Sequence, residues 1–183
     1  LTLRVIFVRG PMGTSEETSK SIARGSLEPM GQLRGASNGS LLCRDDSGDL
    51  FVYKPVSGES PLWDFARDTL CRREVAAANL DRLLGWDLVP PTRWTDDGPM
   101  GPGMVQKWVE EVDELRPVNI FSAHEVPIGW FSILQAIDQD GSAVTLAHEP
   151  SEQLAQMTLF DAVVNNADRK AGHVLADENG RVF

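Results

Sequence analysis

The sequence predicts an α+β fold built on antiparallel strands. Three observations carry that prediction: β-rich runs separated by Asp, Ser and Gly turn clusters, a helical stretch set between those runs, and a second helix near the end that leads into a further hairpin. The 183 residues are 42% hydrophobic and 24% charged, the range of ordinary globular chains, and suit one domain or two small lobes around a shared cleft. The 17 Lys and Arg against 27 Asp and Glu leave a formal charge of −10 with no basic stripe, which argues against nucleic acid as a main partner. No apolar run approaches the roughly 20 residues of a bilayer helix, so no membrane span is predicted.

The opening LTLRVIFVRG is followed by no small-residue cleavage site and does not read as a secretory signal, which makes cytoplasm the default compartment. Met12 is a more natural start than Leu1, so the first residues read as an upstream extension. Residues 13 to 30, rich in Ser, Glu and Thr, read either as a flexible lead or as one amphipathic helix, so residues 1–30 are set apart from the fold. At the other end, Arg181-Val182-Phe183 begins the second strand of a hairpin in which the chain stops, as a fragment of a longer protein would. Cys43 and Cys71 fit neither a disulfide framework nor a zinc spacing, and are predicted to be reduced core thiols.

Regular structure is predicted from about Gly31. Leu41-Leu42-Cys43-Arg44 and Leu50-Phe51-Val52-Tyr53-Lys54-Pro55 flank Asp45-Asp46-Ser47-Gly48 as a hairpin, and Pro55, which cannot donate to a ladder, ends its strand just after Lys54. From about Pro61 to Leu84 the pattern is helical, with Ser60 or Asp64 as N-cap, Gly85 as the left-handed stop, and Ala76, Leu80, Leu83 and Leu84 as a buried stripe. Glu74 lies off that stripe, on a small apolar face where a partner charge would suit it. Two more strands, Val89–Trp94 and Gly103–Val109, join the same sheet around Asp96-Asp97-Gly98-Pro99, and the acidic run 110–114 is a solvated linker. Trp130–Ile137 and Ala143–Leu146 form a second hairpin. Ser151 caps a helix from about Gln153 to Asn165, apolar nearly all round in its second half and therefore predicted to be central, which delivers the polar loop Asn165–His173.

The order of these parts carries chemistry. A small-residue turn, a strand ending in Lys54, a helix presenting Glu74, further strands and a helix delivering an Asn/Asp/Arg/Lys loop suit phosphoryl transfer. That reaction needs positioned charge more than a covalent nucleophile: a cation on phosphate oxygens, an anion to orient the cation, and a carboxylate for the acceptor hydroxyl. His124 and His148 sit among polar loop residues outside any Ser/His/Asp or Cys/His arrangement and read as surface histidines.

Three stretches add a resemblance. Val52-Tyr53-Lys54-Pro55, the helix around Arg73-Glu74-Val75-Ala76, and Asp161-Ala162-Val163-Val164-Asn165-Asn166-Ala167-Asp168-Arg169-Lys170 are similar to the phosphatidylinositol 3- and 4-kinase-like proteins of actinobacteria. The likeness runs from about Gly31 to Phe183, and its most specific piece is the Asn-x-Asp-Arg loop. It implies a protein-kinase-like two-lobed fold, with a small antiparallel-sheet N-lobe over residues 31–114 that binds nucleotide. A mainly helical C-lobe would begin at 115 and be truncated at 183. It further implies ATP and Mg²⁺ or Mn²⁺ as cofactors. Lys54 would contact the phosphates, and Glu74 would pair with Lys54. Asp168 would orient or deprotonate the acceptor hydroxyl, with Arg169 supporting its loop. Ser37, Asn38 and Gly39 would lie over the phosphates, and Gln106, Lys107, Trp108 and Val109 would form a hinge that touches the adenine through backbone groups.

Lipid kinases place His after Asp-Arg and Asn three residues later, where this chain has Lys170 and His173. His173 thus takes the metal-binding place, and imidazole suits Mg²⁺ less than an oxygen donor does. The family's second metal-binding Asp would fall beyond Phe183. The resemblance therefore implies a kinase acting on a small-molecule, lipid or protein hydroxyl, with two alternatives: a pseudokinase that serves as a nucleotide-binding or regulatory module, and a transferase that moves the nucleotide in place of the γ-phosphate.

Overall fold

The computed structural model describes Ala23, residues 25–33 and residues 39–183. Ser37 and Asn38, and the readings made for residues 1–22, lie outside the described residues. Among the described residues the fold is α+β, with a five-stranded and a three-stranded antiparallel sheet and two α-helices. Two compact units divide it: one runs to Gly85 and resumes at Val89–Trp108, the other comprises Trp86–Leu88 and Val109–Phe183.

In the first unit, β1 (Leu27–Gln32), β2 (Leu41–Asp45), β3 (Leu50–Pro55), β4 (Thr92–Gly98) and β5 (Gly101–Lys107) form one sheet in the order β1-β2-β3-β5-β4. The predicted hairpin is β2–β3, and the two later strands join its sheet as read from the sequence. Regular structure starts four residues before Gly31, because the segment Leu27–Gln32 pairs with β2 across a bulge between Pro29 and Gly31.

The two faces of this sheet differ. Cys43, Phe51, Tyr53 and Val105 are buried on one, packed with Ala23, Leu27 and Leu41. On the other, Lys54, Met104 and Trp94 form a single cross-strand row. Helix α1 (Leu70–Leu84) covers that second face: the Arg72 guanidinium lies 4.3 Å over the Trp94 ring, and the Cys71 thiol donates to the Lys54 carbonyl at 3.4 Å.

Gly85 stops α1 as predicted, at φ +68° with its N–H on Asp81 O. Its start is nine residues later than the sequence pattern suggests, and neither Ser60 nor Asp64 caps it. Glu59 does so from outside the helix, accepting the N–H groups of Leu70 at 3.1 Å and Cys71 at 2.8 Å. Nor is the buried stripe the predicted one. Cys71, Ala78 and Asp81 face inward, whereas Leu83 is 82% and Leu84 42% exposed, because Asp81 Oδ2 holds the Val89 N–H at 3.0 Å and so turns that side of the helix to the protein.

The second unit holds β6 (Val118–Ser122), β7 (Phe131–Ile137) and β8 (Ala143–His148) in the order β6-β8-β7, followed by α2 (Glu152–Val164). The mainly helical second part that the resemblance implies is therefore not what residues 115–183 form. Their alternating β-branched and aromatic runs make three strands, and one 13-residue helix follows. Ser151 caps α2 as predicted, its Oγ accepting from Leu154 N–H at 3.4 Å. The helix is less central than its apolar composition suggests: Met157 and Phe160 are buried, Phe160 edge-on to Trp86, while Leu159 and Val163 are more than half exposed.

Among the described residues, one turn design occurs three times. In Asp45-Asp46-Ser47-Gly48-Asp49, Asp138-Gln139-Asp140-Gly141-Ser142 and Asp177-Glu178-Asn179-Gly180-Arg181, the leading Asp Oδ1 accepts N–H groups two and four residues on. The glycine N–H donates to the same Asp's carbonyl, and each glycine sits at φ between +71° and +92°. The spacing Asp-x-x-Gly-x thus specifies each reversal locally.

Candidate functional site

β3 and α1 bring Lys54 and Glu74 together. Lys54 is the last residue of β3 able to donate to the ladder, since Pro55 follows, and Glu74 stands in the second turn of α1. Lys54 Nζ lies 2.7 Å from Glu74 Oε2, with 27% and 35% of the two side chains exposed. This is the partner charge that the helix pattern called for. The ammonium keeps two further donors and a route to solvent, which suits a polyanionic ligand.

Gly39 lies at φ +61°, a left-handed position beside the buried Ser40, and the Leu33 N–H donates to Ser40 O at 2.9 Å across the β1–β2 connection. In the predicted hinge, Gln106 Nε2 donates to Thr92 Oγ1 at 2.9 Å, and Lys107 Nζ pairs with Asp49 Oδ2 at 2.9 Å above the Phe51 ring. The Lys107 N–H already donates to Pro91 O at 2.8 Å and the Trp108 N–H to Leu50 O at 3.0 Å. Strand β5 is central, with neighbours on both sides, so these two amides are committed to the sheet and are not open to a base. The chain leaves the first unit after Trp108, and Val109 belongs to the second.

The loop after α2 is held by one carboxylate. Arg169 clamps Asp161 in bidentate fashion, Nε to Oδ2 and Nη2 to Oδ1 both at 2.8 Å, and Asn166 Nδ2 donates to Oδ1 at 2.9 Å. Burial pushes the Asp161 carboxyl upward, but the hydrogen bonds from Arg169 and Asn166 and the Arg169 charge outweigh it and hold the group below the usual Asp value. Asp168 is 79% exposed and pairs with Lys170 Nζ at 3.2 Å, while its N–H donates to Asn166 Oδ1 at 3.2 Å. Arg169 Nη1 reaches the His173 carbonyl at 3.3 Å. Arg169 thus ties Asp161 in α2 to the His173 carbonyl across the loop. Sequence reading passed over Asp161, which lay inside an apolar run; its distance of eight residues before an Arg was the available signal.

Among the described residues, no three His, Cys, Asp or Glu side chains form a group that could hold a metal ion. Both cysteines are free and buried, and burial pushes the Cys43 thiol up to about 11 and the Cys71 thiol up to about 12, which makes them inert packing groups. No helix among the described residues is long and apolar enough to cross a membrane.

No protein-family model matches the chain, and no solved structure matches it. The chain is 42% identical over 174 residues to Protein Rv2133c of Mycobacterium tuberculosis, a match that covers 88% of this chain and 62% of that protein. It therefore spans less than two thirds of the length of the relative it matches.

Proposed function

We propose that the chain is part of an ATP-dependent phosphotransferase of the protein-kinase-like fold, similar to the phosphatidylinositol 3- and 4-kinases, acting on a hydroxyl of a small molecule, lipid or protein. The observation that carries this reading is the Lys54–Glu74 ion pair at 2.7 Å, which joins a strand end to a helix. In this role Lys54 neutralises phosphate oxygens of ATP, and Glu74 keeps its ammonium from swinging into solvent. Asp168, whose carboxylate is exposed on a braced loop, accepts a hydrogen bond from the acceptor hydroxyl and aims its oxygen.

A thermal-shift titration of the full-length protein with ATP and Mg²⁺ or Mn²⁺, run beside Lys54→Ala, tests the proposal. A ligand confined to the folded state at about 100 times its Kd adds roughly 2.7 kcal/mol, a shift that the method resolves. The reading requires a shift in the wild type that Lys54→Ala loses, followed by ATP consumption.

One observation favours a second reading, a nucleotide-binding or regulatory module without transfer: His173 stands where the lipid kinases carry Asn. A thermal shift with no ATP consumption under either metal selects this reading. If a partner hydroxyl is modified, mass spectrometry separates phosphoryl from nucleotidyl addition.

A further inference from the structure

We infer that Asp161 is a positioning residue that fixes the shape of the Asn165–His173 loop before any ligand arrives. The inference rests on the phosphotransfer reading for its consequence at Asp168, and on geometry alone for the loop itself.

Asp161 holds the loop at its start and at its middle. Its main-chain carbonyl accepts the N–H groups of Asn165 and Asn166, the latter at 2.8 Å, where Asn165 ends α2 in the left-handed conformation at φ +57°. Its carboxylate takes three more hydrogen bonds, two from Arg169 and one from Asn166. Arg169 in turn reaches the His173 carbonyl, at the far end of the loop. Asp168 lies between Asn166 and Arg169, the two residues that Asp161 anchors, and its own N–H is bound by Asn166. The anchoring carboxylate is only 13% exposed, whereas that of Asp168 is 79% exposed. One group is built into the fold and the other is presented. A bidentate Arg–carboxylate pair fixes direction as well as distance, so the backbone on either side of Asp168 has little freedom left.

The test uses Asp161→Asn, which preserves shape but removes the charge that Arg169 grips, together with Arg169→Gln and the double variant. Trypsin cuts after Lys170, a site that every variant keeps, which gives a readout independent of activity: mass spectrometry should find cleavage there accelerated about tenfold or more in each single variant as the loop opens locally. The double variant should be no faster than either single one, because the two changes break one interaction. With ATP present, kcat should fall by about 10²-fold with KM for ATP little changed, the pattern of a misplaced Asp168 rather than of a damaged nucleotide site. Asp161→Glu, which keeps the charge, should recover part of both effects. Should Asp161→Asn fail to fold, Arg169→Gln reads the same quantities. Cleavage and kcat at wild-type levels in the single variants overturn the inference. A wild type that never consumes ATP sinks the phosphotransfer reading instead, and the cleavage rates still decide whether Asp161 fixes the loop.

Discussion

Lys54 and Glu74, twenty residues apart, meet at 2.7 Å because β3 ends at Pro55 and α1 lies on the face of the sheet that carries Lys54. Both side chains remain about a third exposed, so solvent screens the pair and its worth to the fold is at most about 1 kcal/mol. Lys54→Ala and Glu74→Gln are therefore expected to melt within a few degrees of the wild type while losing the ATP-dependent shift. Calorimetry of the apo variants beside the titration checks both halves; a collapse of the apo protein would falsify the assignment of a binding role to the pair.

Glu59 substitutes for an ordinary N-cap of α1. Burial raises its carboxyl, but the N–H groups of Cys71, Leu70 and Thr69, with the Cys71 thiol, more than offset this and leave it below the usual Glu value. A depressed folded-state value means that its stabilisation is present above the unfolded value near 4.5 and is lost as pH falls through the lower folded one. Glu59→Gln should cost about 1 kcal/mol at neutral pH in urea titrations, and the gap to wild type should narrow below about pH 4.

Tyr53 forces two of its neighbours to be glycine. A Cβ on Gly98 would run into the Tyr53 ring, and one on Gly103 would meet the Lys54 carbonyl as well as that ring, which is itself fixed by the bond from Tyr53 Oη to Gly101 O at 2.7 Å. Gly103→Ala should destabilise the protein by about 1–3 kcal/mol, since the obstructing atom is backbone and cannot swing away. Gly31→Ala is the control: nothing lies within 4 Å of its Cβ, and it should melt like the wild type.

Asp161 and Asp177 predict an acid transition in their own loops. Each is raised by burial and lowered further by an arginine, Arg169 and Arg181 respectively, with a net value below the usual 3.8. Both therefore stabilise fully above pH 4 and release their arginines as pH falls through the depressed values. Carboxyl carbon shifts of Asp161 and Asp177 followed by NMR should titrate below the usual Asp value of 3.8, and Asp177→Asn should remove the low-pH loss of the 175–183 hairpin.

Where a signal sat in adjacent residues, the sequence was readable. Lys54 before Pro55, Gly85 after an apolar helix, Ser151 ahead of α2 and the Asp-x-x-Gly turns all act within a few positions, and all stand where expected. The readings that failed depend on partners distant in sequence. The start of α1 is set by Glu59 from eleven residues away, and its buried face by a bond between Asp81 and Val89. Distance in sequence also hides the partners of the Lys107 and Trp108 amides, which are Pro91 and Leu50. Asp161 stands inside an apolar stretch whose hydropathy speaks only of packing, although its partner follows only eight residues on.

The three Asp-x-x-Gly turns also impose an order in time. Each closes a loop of a few residues at small entropic cost, so the β2–β3, β7–β8 and 175–183 hairpins can zip within microseconds of collapse. The β3–β5 pairing has no such help, for Lys54 meets Met104 only after fifty positions of chain have been gathered in. Refolding is predicted to wait on that step, and Val105→Ala, which weakens it, should slow the folding limb in stopped-flow measurements. The joint that completes the sheet beneath α1 is then the last to form.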